Sequence, residues 1–217
     1  MVKVHYFFDP MCGWCYGATS LLVAIAANTE IELALHPGGM IDNKAIEPDF
    51  RSHILVNDER IAKMTGAQFG DEYIQRVKSD DKMILDSFIT ARAILTAKQL
   101  GIAPLDMLKA IQHAHYVDGK QVNHPKVLEE LSVKLGLEGA QWHKTMNANL
   151  GIEQEEIQRS RLLMQKLQVY GYPTLILEVA NKFIVLPHTE FYGKPDEWQQ
   201  LVDSYIRSDS STFQTDM

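Results

Sequence analysis

The sequence predicts an α/β protein built as β-α-β, then an all-helical insertion, then α-β-β-α. Three observations carry that prediction: strand-like runs near both ends of the chain, helical periodicity without a convincing strand from Ile41 to Leu150, and Cys12-Gly13-Trp14-Cys15 at a strand-to-helix junction. Val2 to Phe8 is β-branched and aromatic, as a buried strand requires, and Ala18 to Ala27 is an apolar helix-like run. Ile31 to His36 alternates Ile31, Leu33 and Leu35 against Glu32, Ala34 and His36, and Pro37-Gly38-Gly39 closes the unit as a loop. A crossover of this length builds a right-handed parallel pair whose functional residues sit at the carboxyl end of the first strand, where Cys12 falls.

In the middle of the chain, Phe88, Ala91, Ile94 and Leu95, and then Leu105, Leu108 and Ile111, recur at helical spacing. Breaks at Pro48, Gly66, Gly70, Gly101 to Pro104, Asp118-Gly119 and Gly136 divide the block into five or six short helices. Asn123-His124-Pro125 marks a helix start before Lys126 to Leu135, and Glu153 to Tyr170 reads as one further amphipathic helix. Leu175 to Leu177 and Phe183 to Leu186 form a hairpin turning at Asn181-Lys182, and Pro195 opens a closing helix through Trp198, Leu201, Val202 and Tyr205. The expected organisation is residues 1–40 and 151–207 as two parts of one α/β domain, 41–150 as the insertion, and 208–217 as a polar tail.

Of 217 residues, 46% are hydrophobic and 23% charged, which is ordinary for a chain with a sizeable core. A formal charge of −7 with no basic stripe points away from nucleic acid. No apolar run reaches the roughly 20 residues a bilayer needs, so no membrane association is expected. Asp9-Pro10 interrupts the N-terminal apolar run and the cysteine pair comes too early to follow a cleavable leader, so the expected location is cytoplasmic. These features do not set the oligomeric state.

The pair uses both cysteines of the chain. In a reducing compartment, two cysteines at this spacing indicate transient, catalytic dithiol chemistry rather than a structural disulfide. A zinc ribbon needs four ligands, and His5, His113, His115 and His188 have no recognisable spacing to the pair; two buried hydrophobes falling three apart by accident is the remaining alternative. At the start of a helix, Cys12 meets unpaired N–H groups that favour its thiolate, which makes it the expected nucleophile. Cys15, about one turn on, is the expected resolving thiol. Trp14 is expected to be exposed as an apolar contact for substrate, and Met40, Met64, Met83, Met107 and Met164 are expected to fill the core. Asp9 is either a turn residue before proline or a proton relay.

Phe7-Phe8-Asp9-Pro10-Met11-Cys12-Gly13-Trp14-Cys15 and, far downstream, Gly171-Tyr172-Pro173-Thr174-Leu175 give the chain its resemblance to the thioredoxin-fold DsbA-like oxidoreductases. The resemblance implies a thioredoxin-like fold interrupted by helices, with thiol-disulfide exchange as the activity and peptide or protein disulfides as partners. It implies that Pro173 is cis and lies against the dithiol, and that the Gly171-Tyr172 segment pairs with substrate through its backbone. No metal or organic cofactor is implied, with glutathione as a possible co-substrate. The Gly-Trp dipeptide lacks both the histidine of strongly oxidising relatives and the proline of reducing thioredoxins, which leaves the redox poise open. Tyr6 stands where many relatives carry a buried acid that relays a proton, so Asp9 or water takes that role if it is taken. The 2-hydroxychromene-2-carboxylate isomerases and kappa-class glutathione transferases resemble this architecture too, typically with serine in place of Cys12, and supply the alternative of a glutathione-dependent isomerase or transferase. A redox-sensing adaptor is the third reading.

Overall fold

The structure is a computed structural model and describes residues 2–212. Strand β1 (Val2–Phe8) is followed by two short helices, α1 (Gly13–Gly17) and α2 (Thr19–Ala26), and then by β2 (Ile31–Pro37). Strand β5 (Thr174–Val179) and strand β6 (Lys182–Val185) complete a four-stranded sheet in the order β2-β1-β5-β6. β1 pairs parallel with β2, from Val2 opposite Ile31 to Phe8 opposite Pro37, and antiparallel with β5, where Tyr6 faces Leu175. β1 is therefore central, and its nearly unbroken apolar run is explained by cover on both faces.

One face carries α2 and the closing helix α10 (Pro195–Thr212), locked by Trp198, whose indole Nε1 donates to the Leu21 carbonyl at 3.1 Å. On the other face, helix α9 (Ile152–Lys166) lays Met164 against Phe7 and Ile176. Trp198 is fully buried, and Trp198→Ala is expected to cost about 3–5 kcal/mol, read as a lower urea midpoint at unchanged slope.

Between β2 and α9 lie six helices: α3 (Pro48–Thr65), α4 (Asp71–Lys78), α5 (Ser87–Gln99), α6 (Pro104–Tyr116), α7 (Pro125–Lys134) and α8 (Gly139–Ala148). The expectation of a strand-free block is corrected here. Two-residue strands β3 (Lys44–Ala45) and β4 (Ile84–Leu85) pair antiparallel, a ladder too short to generate a period-two pattern. The block is tied to α9 by a fork of Arg92 on fully buried Glu153, with Nε at 2.8 Å from Oε2 and Nη2 on Oε1.

Four boundaries differ from expectation. The apolar helix is preceded by the separate turn α1. α9 ends at Lys166, with Gln168 at φ 56° turning the chain before Tyr170. The hairpin turns one residue earlier, at Ala180 and Asn181, both at positive φ (48° and 60°) as a two-residue turn between twisted strands requires. Residues 208–212 of the expected tail continue α10, while 213–217 lie outside the described residues. No described helix is long and apolar enough to cross a membrane.

Candidate active site

The carboxyl end of β1 runs through Asp9-Pro10-Met11 into α1, for which Cys12 is the N-cap. Cys12 is extended (φ −91°, ψ 117°), and its sulfur accepts the Cys15 N–H at 3.4 Å. A sulfur in this place does what a serine or aspartate oxygen does at other helix starts, meeting N–H groups that have no partner within the helix. The hydrogen bond from the Cys15 thiol, supported by the Cys15 and Trp14 N–H groups, holds the Cys12 pKa below its ordinary value, with burial and the Asp9 charge opposing. Cys15 experiences the reverse. Burial pushes its pKa well up, and the hydrogen bond and charge of Cys12 add to that. The exposures agree, since Cys12 retains 8% and Cys15 none, and both sulfurs are free thiols.

Asp9 lies beneath the pair and is fully buried. Its backbone N–H reaches the Cys15 sulfur at 3.5 Å. Oδ1 accepts from the Met11 N–H at 2.9 Å and the Ser87 hydroxyl at 2.7 Å, and Oδ2 accepts from the Met40 N–H at 2.6 Å. Burial nonetheless outweighs these three donors and raises its pKa. Tyr6 donates to the Cys15 carbonyl at 3.2 Å, and burial raises its phenol well above its ordinary value.

The Tyr172-Pro173 bond is cis, and the Tyr172 carbonyl oxygen lies 4.0 Å from the Cys12 sulfur. Gly171 is exposed beside it. The Tyr172 ring lies on Gly38 and its hydroxyl donates to the Met164 sulfur at 3.2 Å. A Cβ on Gly38 would fall 2.0 Å from Tyr172 Cζ. Gly38→Ala is accordingly expected to displace the ring and cost about 1–3 kcal/mol, measurable by denaturation and as a shifted Tyr172 side-chain resonance.

Trp14 is half-buried rather than exposed, stacked on Tyr192 at 6.0 Å and with the Arg60 guanidinium 5.5 Å from its ring centroid. Met83, Met107 and Met164 are core residues, but Met40 and Met64 are 49% and 41% exposed. His36 bonds to His5 at 2.9 Å, and His5 to Glu178 at 2.8 Å, away from the thiols. Among the described residues no three His, Cys, Asp or Glu side chains gather so as to hold a metal ion.

A cavity of about 310 Å³ opens on Cys12, with Trp14 and Tyr172 on the sheet side and Asp58, Tyr73 and His115 contributed by the helical block. These last three were not singled out as site residues from sequence. Asp58 is buried, its Oδ2 accepts from the Tyr73 hydroxyl at 2.8 Å, and burial lifts its carboxyl to about 6. Burial lowers His115 to about 3, so it is neutral.

The DSBA-like thioredoxin domain family matches residues 3–190. The chain belongs to this family. Within the DsbA-like family, it is 35% identical to the cytosolic disulfide reductase DsbM from Pseudomonas aeruginosa, over 94% of this chain and 98% of that one, with a TM-score of 0.88. A second structure of DsbM, with GSH, superposes with a TM-score of 0.87 at the same identity, over 94% of this chain and 99% of that one. A 2-hydroxychromene-2-carboxylate isomerase, 12% identical over 97% and 98% of the two chains, superposes with a TM-score of 0.58 and shares the fold. Among curated proteins, none matches the sequence. In this DsbA-like chain the helical insertion forms one wall of the dithiol cavity.

Proposed function

We propose that this protein is a cytoplasmic thiol-disulfide oxidoreductase that reduces peptide and small-thiol disulfides, glutathione disulfide among them, with Cys12 attacking and Cys15 resolving. The observation that carries the reading is the opposed environment of the two thiols: Cys12 reaches the cavity with its pKa lowered, and Cys15 is sealed beneath it with its pKa raised. In the first step the Cys12 thiolate attacks one sulfur of the substrate disulfide, forming a mixed disulfide as the other sulfur leaves as a thiolate. Cys15 then loses its proton to Asp9, attacks Cys12, and releases the second substrate thiolate. Two electrons pass from the dithiol to the substrate, and two external thiols return them. The Tyr172-Pro173 edge, with Gly171 and Trp14 beside it, orients the substrate.

The reducing direction is supported by the likeness to DsbM, which is described as a cytosolic disulfide reductase and has a structure with GSH. The isomerase or transferase alternative draws on shared fold alone, and Cys12 stands where those enzymes typically carry serine. Equilibration of the Cys12-Cys15 pair with glutathione tests the direction. The expected potential lies nearer the thioredoxin value of about −270 mV than the about −120 mV of a strong oxidant. A value at the oxidising end overturns the direction.

A further inference from the structure

A second cavity of about 370 Å³ adjoins the dithiol cavity, and the two share the side chains of Met40, Ile41 and Phe50. Its walls are fixed. The Ile41 N–H donates to the Ser87 hydroxyl at 3.1 Å, the Ser87 N–H returns to the Ile41 carbonyl at 2.8 Å, and the Ile46 N–H donates to the Met83 carbonyl at 2.9 Å. Lys44 and Ala45 of β3, paired with β4, line it as well. Met40 and Phe50 at the junction are each about half exposed.

The two cavities differ in their charged groups. Asp58 is the one acid lining the dithiol cavity, which has neither lysine nor arginine, whereas the second is lined by Lys44 together with Asp42 and Glu47. Among the described residues Asp58 Oδ1 has no hydrogen bond, and it lies 3.0 Å from where a Gly13 Cβ would stand, next to Cys12.

A disulfide has two halves. Thiolate attack proceeds in line, so the departing sulfur leaves on the side opposite the attacker, and its half must be housed somewhere other than against Cys12. The dithiol cavity is at the small end for ligand sites, room for one tripeptide-sized half rather than two.

We propose that the second cavity is the half-site for the departing thiol of a small peptide disulfide, its carboxylate meeting Lys44 and its ammonium meeting Asp42 or Glu47, while the half that becomes bonded to Cys12 occupies the dithiol cavity with its ammonium toward Asp58. This rests on the reading of the protein as a reductase of small-thiol disulfides. The chemistry balances: the Cys12 thiolate forms a sulfur–sulfur bond to the retained half, the substrate bond breaks, and the departing half leaves as a thiolate that takes its proton from solvent. Cys15 then closes the protein disulfide and frees the retained half.

The test compares oxidised glutathione with 2-hydroxyethyl disulfide, whose leaving half is too small to fill the second cavity, using the full chain, Ala45→Trp and Lys44→Glu. Ala45→Trp is expected to lower the oxidised-glutathione rate relative to the hydroxyethyl rate by at least about tenfold. Lys44 is exposed and its reversal leaves the core untouched, so Lys44→Glu keeps the test decisive if the tryptophan variant fails to fold. It is expected to raise KM for oxidised glutathione while sparing kcat. If the ratio of the two substrates is unchanged in both variants, the half-site is overturned while the reductase reading stands. If the unaltered protein reduces neither disulfide, that reading itself is overturned.

Discussion

Cys12→Ser is expected to abolish disulfide exchange, lowering kcat/KM by at least about 10³-fold, while the circular dichroism of the fold is retained. The size of the effect follows from the chemistry: a serine hydroxyl at the same helix cap accepts the same N–H but is neither ionised at neutral pH nor able to form a disulfide. Cys15→Ser behaves differently. The first attack survives, because the thiolate that makes it is still present, but the product is held as a mixed disulfide that only an external thiol releases. Comparing single-turnover release of the first thiol with steady-state turnover separates the two variants. Loss of the first step in Cys15→Ser as well as Cys12→Ser would mean that the pair acts only as a unit.

Asp9→Asn is expected to slow the resolving step by about 10² and to change its pH dependence. The Cys15 pKa is raised by burial and by the hydrogen bond and charge of Cys12, and the Asp9 charge adds to that, so a base to take its proton matters most for this thiol. Without the carboxylate, resolution is expected to depend on hydroxide and its rate to climb with pH, whereas the native protein is expected to resolve across the neutral range. A purely structural Asp9 would leave the pH profile alone.

The linkage to stability has a definite sign. The folded pKa of Asp9 is raised, so the fold favours its protonated form; that contribution is full below the unfolded carboxylate value of about 3.9 and is lost as pH rises through the higher folded value. Asp9→Asn removes this penalty but turns an amide N–H₂ toward the Met40 N–H that Oδ2 now accepts, or else surrenders the Met11 and Ser87 bonds. Urea titrations at low and neutral pH therefore converge less in the native protein than in the variant.

The sheet and the dithiol were legible because each is written in a few consecutive residues: the apolar run of β1, the alternation in β2, and a cysteine pair at a helix start. Gly171-Tyr172-Pro173 was legible through resemblance. What was missed lies in contacts between distant segments. Asp58, Tyr73 and His115 sit in separate helices with no spacing that marks them, and only the packing of the block onto α1 brings them to Cys12. Trp14 read as exposed because nothing in Gly13-Trp14-Cys15 announces Tyr192 or Arg60. Asp9 was left between a turn residue and a relay, since a burial that depends on Ser87 and Met40 cannot be read from the Asp-Pro dipeptide. The turn at Ala180 and Asn181 was displaced by one residue because alanine gives no sign of a positive φ.

The division of labour between the two thiols is tested most directly by trapping. Cys15→Ala and Cys12→Ala, each incubated with oxidised glutathione near neutral pH and analysed by intact-protein mass spectrometry, should give a nearly complete glutathione adduct on Cys12 in the first and essentially none on Cys15 in the second. Equal adducts in both variants, or an adduct confined to Cys15, would contradict the account.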